Sequence, residues 1–267
     1  MPEQARIPAT KSAPPVNACP GQTVGATPAG TTDERSAAQA VRQMFDQVAP
    51  RYDLLNHVLS MNVDRLWWRR TARTFSHILS RSDARVLDLC AGTGDMSVAL
   101  HTVATKMKSN ARICALDFSH PMLRHGLAKY TAKKIQPLEA DALQLPLADN
   151  SMDLVVSAFG FRNLANYDAG LREIFRVLNP GGEMGILDFS EPGGLMGKLY
   201  GFYFRRVLPR IGTLISGVRS AYEYLPASVQ KFPMPEQMLA RMEAAGFRET
   251  NWKPYTFGIA GLYRAKK

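Results

Sequence analysis

The sequence predicts a doubly wound α/β fold, a parallel sheet with helices on both faces and its ligand site at the carboxyl ends of the strands. Three observations predict it. Short apolar runs alternate with segments of helix length from Arg85 to Phe189. The first run, Arg85 to Leu89, enters a glycine turn, Cys90-Ala91-Gly92-Thr93-Gly94-Asp95, and a helix-capable stretch follows it. The chain then ends in two strand-like runs, Asn251–Tyr255 and Gly258–Arg264, with only a turn between them.

Residues 1–36 are rich in Pro, Ala, Thr and Gly and poor in large apolar side chains, so a disordered tail is expected there. Asp33 or Ser36 is placed to cap a helix carrying Val41, Met44, Phe45 and Val48 at helical spacing, interrupted at Pro50. The folded domain is expected over 37–267. Its first part, 37–80, contains Tyr52 and the run Leu66-Trp67-Trp68 and precedes the first strand, which predicts a helical lid. The strand-helix series then reads Met96–Met107 helix, Arg112–Asp117 strand, His120–Lys134 helix and Pro137–Asp141 strand. It continues with Asp153–Phe159 strand, Ala169–Leu178 helix and Glu183–Phe189 strand. The Asn179-Pro180-Gly181-Gly182 turn is expected to close that last helix. Residues 193–232 form an insertion whose stretch Lys198 to Ile215 mixes aromatics with Arg205, Arg206 and Arg210. A helix over Pro235–Ala245, stopped by Gly246, leads to the closing hairpin, which supplies strands six and seven.

A chain of 267 residues with 46% apolar and 21% charged residues suits one domain with appendages. The net charge is +10, and from Ser190 onward 12 Lys/Arg stand against 5 Asp/Glu. Such a surface suits anionic lipid or nucleic acid, or simply solubility. Cys19, Cys90 and Cys114 have no paired spacing, and Cys90 and Cys114 read as small buried residues in strands. The five histidines lack ligand spacing, so no metal site is expected. No leader-like apolar core and no bilayer-length run are present, which predicts a cytoplasmic protein.

The expected strand ends carry Asp88, Asp117, Asp141, Ala158 and Asp188, with Asp95 just past the glycine turn. Gly92 and Gly94 allow a tight turn and close approach of a ligand. A dinucleotide site would use the same glycines, yet it needs backbone N–H groups around a pyrophosphate and little negative charge nearby. Here Ser97 takes the third glycine position and carboxylates surround the turn. S-adenosylmethionine carries a sulfonium and an ammonium, which carboxylates suit. Asp117 is placed for the ribose hydroxyls. For each acid taken alone, helix capping is the plainer role.

These residues resemble the ubiquinone/menaquinone biosynthesis C-methyltransferase family, most of all its demethylmenaquinone methyltransferases. The resemblance rests on Phe45-Asp46-Gln47-Val48-Ala49-Pro50-Arg51-Tyr52-Asp53, on Val86–Asp95, on Phe159-Gly160-Phe161-Arg162-Asn163, on Val177–Gly182 and on Tyr222–Leu225 with Glu243–Phe247. It covers the chain from about Val41 onward. It implies the class I S-adenosylmethionine-dependent methyltransferase fold, Rossmann-like, with seven strands, the last antiparallel. It implies donor contacts from Thr93, Asp117, Asp141 and Ala142, beside Asp88, Gly92 and Gly94, which the glycine turn and its charge already put at the donor. Ala158 stands where many relatives have serine, so a hydroxyl contact is lost there, and Asn179 replaces the commoner lysine.

The implied reaction moves a methyl group to a ring carbon of a reduced, prenylated demethylmenaquinol; a polyprenyl benzoquinol is the alternative acceptor. Arg162 is expected to stabilise a developing phenolate and Asn163 to orient a hydroxyl. Asp95 is a candidate base, directly or through water, and Tyr52 binds the ring or a hydroxyl. Tyr224 and Phe159 are expected on the quinol side. Expected partners are the quinol, anionic membrane lipids at the Lys198–Ile215 segment, and a second copy in a homodimer, but no nucleic acid. An RNA or protein methyltransferase is disfavoured because Ala158-Phe159-Gly160 stands where a base N-methylating enzyme carries an Asn/Asp-Pro-Pro-Tyr motif. A non-catalytic subunit of a quinone-biosynthesis complex is disfavoured by the intact motifs.

Overall fold

The computed structural model describes residues 24–49, 62–190, 192, 201 and 219–267. Strands β1 (Arg85–Leu89), β2 (Arg112–Asp117), β3 (Gln136–Glu139), β4 (Met152–Ala158), β5 (Leu178–Phe189), β6 (Arg248–Tyr255) and β7 (Ala260–Lys266) form one sheet in the order β3-β2-β1-β4-β5-β7-β6. The first five strands pair in parallel, and β7 runs antiparallel between β5 and β6. The order reverses between β1 and β4, and the crevice opens at that switch point.

Central strands are buried on both faces, as their continuous apolar runs require. Successive side chains alternate between two cores. Val86, Ala115, Leu154 and Val156 join Trp67, Phe75, Leu100 and Tyr130 on one side. Leu87, Leu89, Val155 and Ile186 join Leu171, Ile174, Met238 and Met242 on the other. The first layer comes from α2 (Val63–Thr74), α3 (Ser76–Leu79), α4 (Asp95–Lys106) and α5 (His120–Ala132). The second comes from α6 (Tyr167–Val177) and α8 (Pro235–Ala244). Helix α1 (Glu34–Val48) and α7 (Arg219–Lys231) pack together beside the carboxyl ends of the strands.

Caps follow the sequence signals. Asp33 accepts the Ser36 N–H at 2.8 Å while the Ser36 hydroxyl receives the Asp33 N–H, a reciprocal capping box. Ser119 and Asn166 cap α5 and α6 through the N–H groups of Met122 and Ala169.

Four expectations need correction. The disordered tail does not extend to residue 36: Ala26 donates to the Leu164 carbonyl at 2.8 Å, and α1 starts at Glu34. Among the described residues of the expected lid, 37–80, those that border the crevice belong to α1. The face of α2 that carries Trp67, Trp68 and Ala72 is buried against the sheet, because an apolar face of that size is better covered than exposed. The Asn179–Gly182 turn lies inside β5: Leu178 already pairs with Met152, and Gly181 at φ 79° absorbs the bulge. Cys90 is not a strand residue; it follows β1 at φ 58°. The Lys198–Ile215 stretch, Tyr52 and most of the expected 193–232 insertion lie outside the described residues; its end is α7.

Candidate active site

The crevice at the ends of β1, β2 and β4 is lined by Gly92, Asp117, Asp141, Ala142, Phe159 and Asn163, with Ala38 and Phe45 of α1 closing it from above. The crevice is a solvent-open pocket of about 70 Å3.

The glycine turn is held from below and beside. Gly92 adopts φ 56° and Gly94 φ 88°. The Gly92 N–H donates to Asp117 Oδ2 at 2.8 Å, and the Gly92 carbonyl accepts the Tyr130 hydroxyl at 2.8 Å. A Cβ on Gly94 would lie 2.3 Å from the Tyr130 ring, so only glycine fits there. Thr93 is buried in the turn. Asp95 begins α4 and its carboxylate pairs with Lys129 Nζ at 2.8 Å, away from the crevice lining.

Two carboxylates lie buried at the donor side. Asp117 accepts the N–H groups of Gly92 and Ser119, at 2.8 and 2.9 Å, and burial outweighs these bonds and pushes its pKa up to about 6. Asp88 is fully buried within β1, under the turn rather than on the crevice wall. Burial raises it to about 7 against the opposing hydrogen bonds from Ser97, with Asp117 and Asp95 adding repulsion. Its Oδ2 accepts the Ser97 hydroxyl at 2.5 Å, while its Oδ1 is buried with no partner among the described residues. An unpartnered carboxylate oxygen under the turn fits a donor carrying an ammonium group, as do the two crevice carboxylates, Asp117 and Asp141. Asp141 is exposed and accepts the Leu143 N–H at 2.8 Å.

The turn after β4 forms the opposite wall. Phe159 adopts φ 60°, and its carbonyl accepts from Arg162 Nη1 and from Asn163 Nδ2, the latter at a long 3.4 Å. Its ring packs on Phe189 at 4.5 Å and on Trp67 at 5.8 Å. Gly160 follows, and a Cβ there would come 2.3 Å from the Cys90 Cβ. The two strained residues therefore meet where the ends of β1 and β4 converge.

Arg162 is corrected from its expected place. Its side chain is 6% exposed and does not line the crevice; Nη1 meets Asp188 Oδ1 at 2.9 Å, and its backbone N–H donates to Asp188 Oδ2 at 3.1 Å. The sequence placed Asp188 at a strand end, and a buried cation packed beside it there takes it as counter-ion. Asn163 does line the crevice, and its Oδ1 accepts the Tyr224 hydroxyl at 3.2 Å. Burial raises the Tyr224 phenol to about 12, so it is a donor at neutral pH.

Sequence reading missed the ties that set α1 over the site. Ser119 donates its hydroxyl to Asp46 Oδ1 at 2.6 Å, Arg42 meets Glu139 at 2.8 Å, and Asn166 donates to Glu34 at 2.7 Å. Asp46 was visible only as part of a motif; no spacing rule links it to Ser119, 73 residues on. Among the described residues no cluster of three metal-ligating side chains occurs.

The chain is 47% identical over 238 residues to a demethylmenaquinone methyltransferase of Deinococcus radiodurans, covering 88% of this chain and 95% of that one. It is 46% identical to another of that name from Thermus thermophilus, covering 82% and 98%. Among solved structures, a SAM-dependent methyltransferase from Thermotoga maritima overlays with a TM-score of 0.58 at 16% identity, covering 85% of this chain and 99% of that one, a likeness of fold. The model of the ubiE/COQ5 methyltransferase family matches residues 32–267, and the chain belongs to that family.

Proposed function

We propose that this enzyme transfers a methyl group to a ring carbon of a demethylmenaquinol, the reduced prenylated naphthoquinol. It is a C-methyltransferase whose donor is S-adenosylmethionine, which supplies an electrophilic methyl on a sulfonium. The observation that carries the reading is one crevice bounded by Asp117 and the glycine turn on one wall and by Asn163 on the other. The naphthoquinol acceptor is supported by two relatives named demethylmenaquinone methyltransferase at 46–47% identity.

The residues divide the work by position. Asp117 and Asp141 face the donor's ribose side, with Ala142 beside them, and the turn of Gly92, Thr93 and Gly94 gives the close approach a side chain would block. Asp88 offers its free oxygen to positive charge from below. Asn163 Nδ2, held among the described residues by the long bond to Phe159, is the donor placed for a phenolate oxygen in the crevice. Tyr224 orients Asn163, and because its phenol stays protonated it is not the base. Arg162 is a positioning residue: it fixes the Phe159 carbonyl and the turn that carries Asn163. Phe159 walls the ring; Tyr52, expected to bind it, lies outside the described residues. Asp95, engaged by Lys129, reaches the site only through water.

Purified protein supplied with S-adenosylmethionine and a reduced demethylmenaquinol is expected to yield a product one methyl group heavier by mass spectrometry. Turnover of benzoquinols alone moves the acceptor to the ubiquinone side, and no turnover of any quinol removes the reading. The same reading includes peripheral contact with anionic lipid through Arg205, Arg206 and Arg210, and a homodimer. Co-sedimentation with anionic but not neutral vesicles checks the first, and light scattering the second. No helix among the described residues is long and apolar enough to cross a membrane.

A further inference from the structure

Beyond Asn163 lies a second cavity of about 400 Å3, bounded by α1, by the chain around Ala26 to Ala29, and by α7. That volume falls in the range of roughly 300–1,000 Å3 typical of small-molecule sites. Its wall towards the crevice includes Tyr224 and Tyr167. Both hydroxyls are used on the FGFRN turn: Tyr224 donates to Asn163 Oδ1 at 3.2 Å, and Tyr167 to the Arg162 carbonyl at 2.9 Å. What the two phenols contribute to the second cavity is therefore ring surface.

The other walls are mainly apolar. Ala40, Val41 and Met44 line it from α1 beside Gln43 and Gln47, and Ala227 lines it from α7 beside Ser228. No carboxylate occurs among the described lining residues. Lys231, the one cation among them, donates to the Thr27 carbonyl at 3.1 Å and to the Thr27 hydroxyl. A phosphate or nucleotide would find one engaged lysine; a hydrocarbon chain would find more carbon than polar surface.

Adjacency decides the occupant. The two spaces share no lining residue among those described, yet Asn163 borders the crevice and its hydrogen-bonded partner Tyr224 borders the second cavity. Helix α1 walls both, with Ala38 and Phe45 on the crevice and Val41 and Met44 on the cavity. A ring in the crevice that carries a long chain must pass the chain out of the reacting space, and the nearest apolar space is the one behind Tyr224.

We infer that this cavity receives the first prenyl units of the quinol's tail, entering past Tyr224. The inference rests on the quinol methyltransferase reading above. It makes the tail a specificity determinant, because burial of apolar carbon adds to binding in proportion to its area.

The test compares kcat/KM for tail-less, one-unit and longer-tailed quinols in wild type and in Ala40→Trp and Ala227→Trp, which fill the cavity from facing helices. Wild type is expected to prefer tailed over tail-less quinol by about tenfold or more. Either Trp variant should cut that preference to about twofold, while calorimetric donor affinity stays within about threefold. Should a Trp variant fail to fold, Ala227→Ser, which adds a hydroxyl to the wall, should lower the preference in the same direction. A preference retained in variants that bind donor normally overturns the tail site. Equal rates for all quinols in wild type also overturn it and leave the methyltransferase reading intact, whereas no turnover of any quinol takes both away.

Discussion

Asp88 and Asp117 are buried carboxyls whose proton affinity is raised by desolvation, to about 7 and about 6. An unfolded aspartate titrates near about 3.9. Between that value and the raised ones the folded chain holds more protons than the unfolded chain. The stability these two carboxyls contribute is thus full below about pH 4, falls as pH rises through about 6 and 7, and is level above. Donor binding runs the other way, because a cationic donor needs the ionised forms. Titration calorimetry is expected to show S-adenosylmethionine affinity rising between about pH 5.5 and 8, with Asp88→Asn weaker and flatter over that window. A wild-type profile that is flat would take both carboxyls out of donor binding. The Arg162–Asp188 pair makes a separate prediction. Arg162→Ala leaves Asp188 buried without its cation and should destabilise the fold by about 3–5 kcal/mol in thermal melts, with Arg162→Met/Asp188→Leu recovering much of that. At the convergence of β1 and β4, Gly160→Ala should cost about 1–3 kcal/mol through its clash with Cys90, and Cys90→Gly in the same chain should restore part of it. Absence of rescue would place the strain elsewhere.

Helix α1 behaves as an element docked on the donor site. Its ties differ in weight. Arg42 and Glu139 are both about half exposed, at 47% and 41%, and such a pair is worth about 0–1 kcal/mol. The Ser119–Asp46 bond is half-buried and charge-assisted, worth roughly 1.5–3 kcal/mol. Asp46→Ala should therefore raise hydrogen exchange across 34–48 and weaken donor binding, whereas Arg42→Ala should change both little. Equal effects from the two substitutions would mean that α1 is held by its apolar face alone.

At the scale of the whole molecule, one domain carries the reaction and its N-terminal approach completes the second cavity. Removing residues 1–30 deletes the Ala26–Leu164 and Thr27–Lys231 bonds and a wall of that cavity. It should lower the melting temperature and the preference for tailed quinols together; an unchanged preference would separate the segment from the tail.

The apolar runs, their spacing and the glycine turn were enough to place the seven strands and the crevice; in the central parallel strands, burial on both faces writes itself into composition. Carboxylates at strand ends and the FGFRN run were legible for the same local reason. Tertiary structure alone decided which of them face a ligand. Asp117 reaches the crevice while Asp88 lies beneath it: both point to one face of the sheet, and Asp117 stands two residues beyond Ala115, the β2 partner of Asp88. Arg162 turns from the crevice because Asp188, distant in sequence, arrives beside it on the neighbouring strand. The hold of Asp46 on Ser119 and the cavity behind Tyr224 likewise exist only when remote segments meet, which no local spacing encodes.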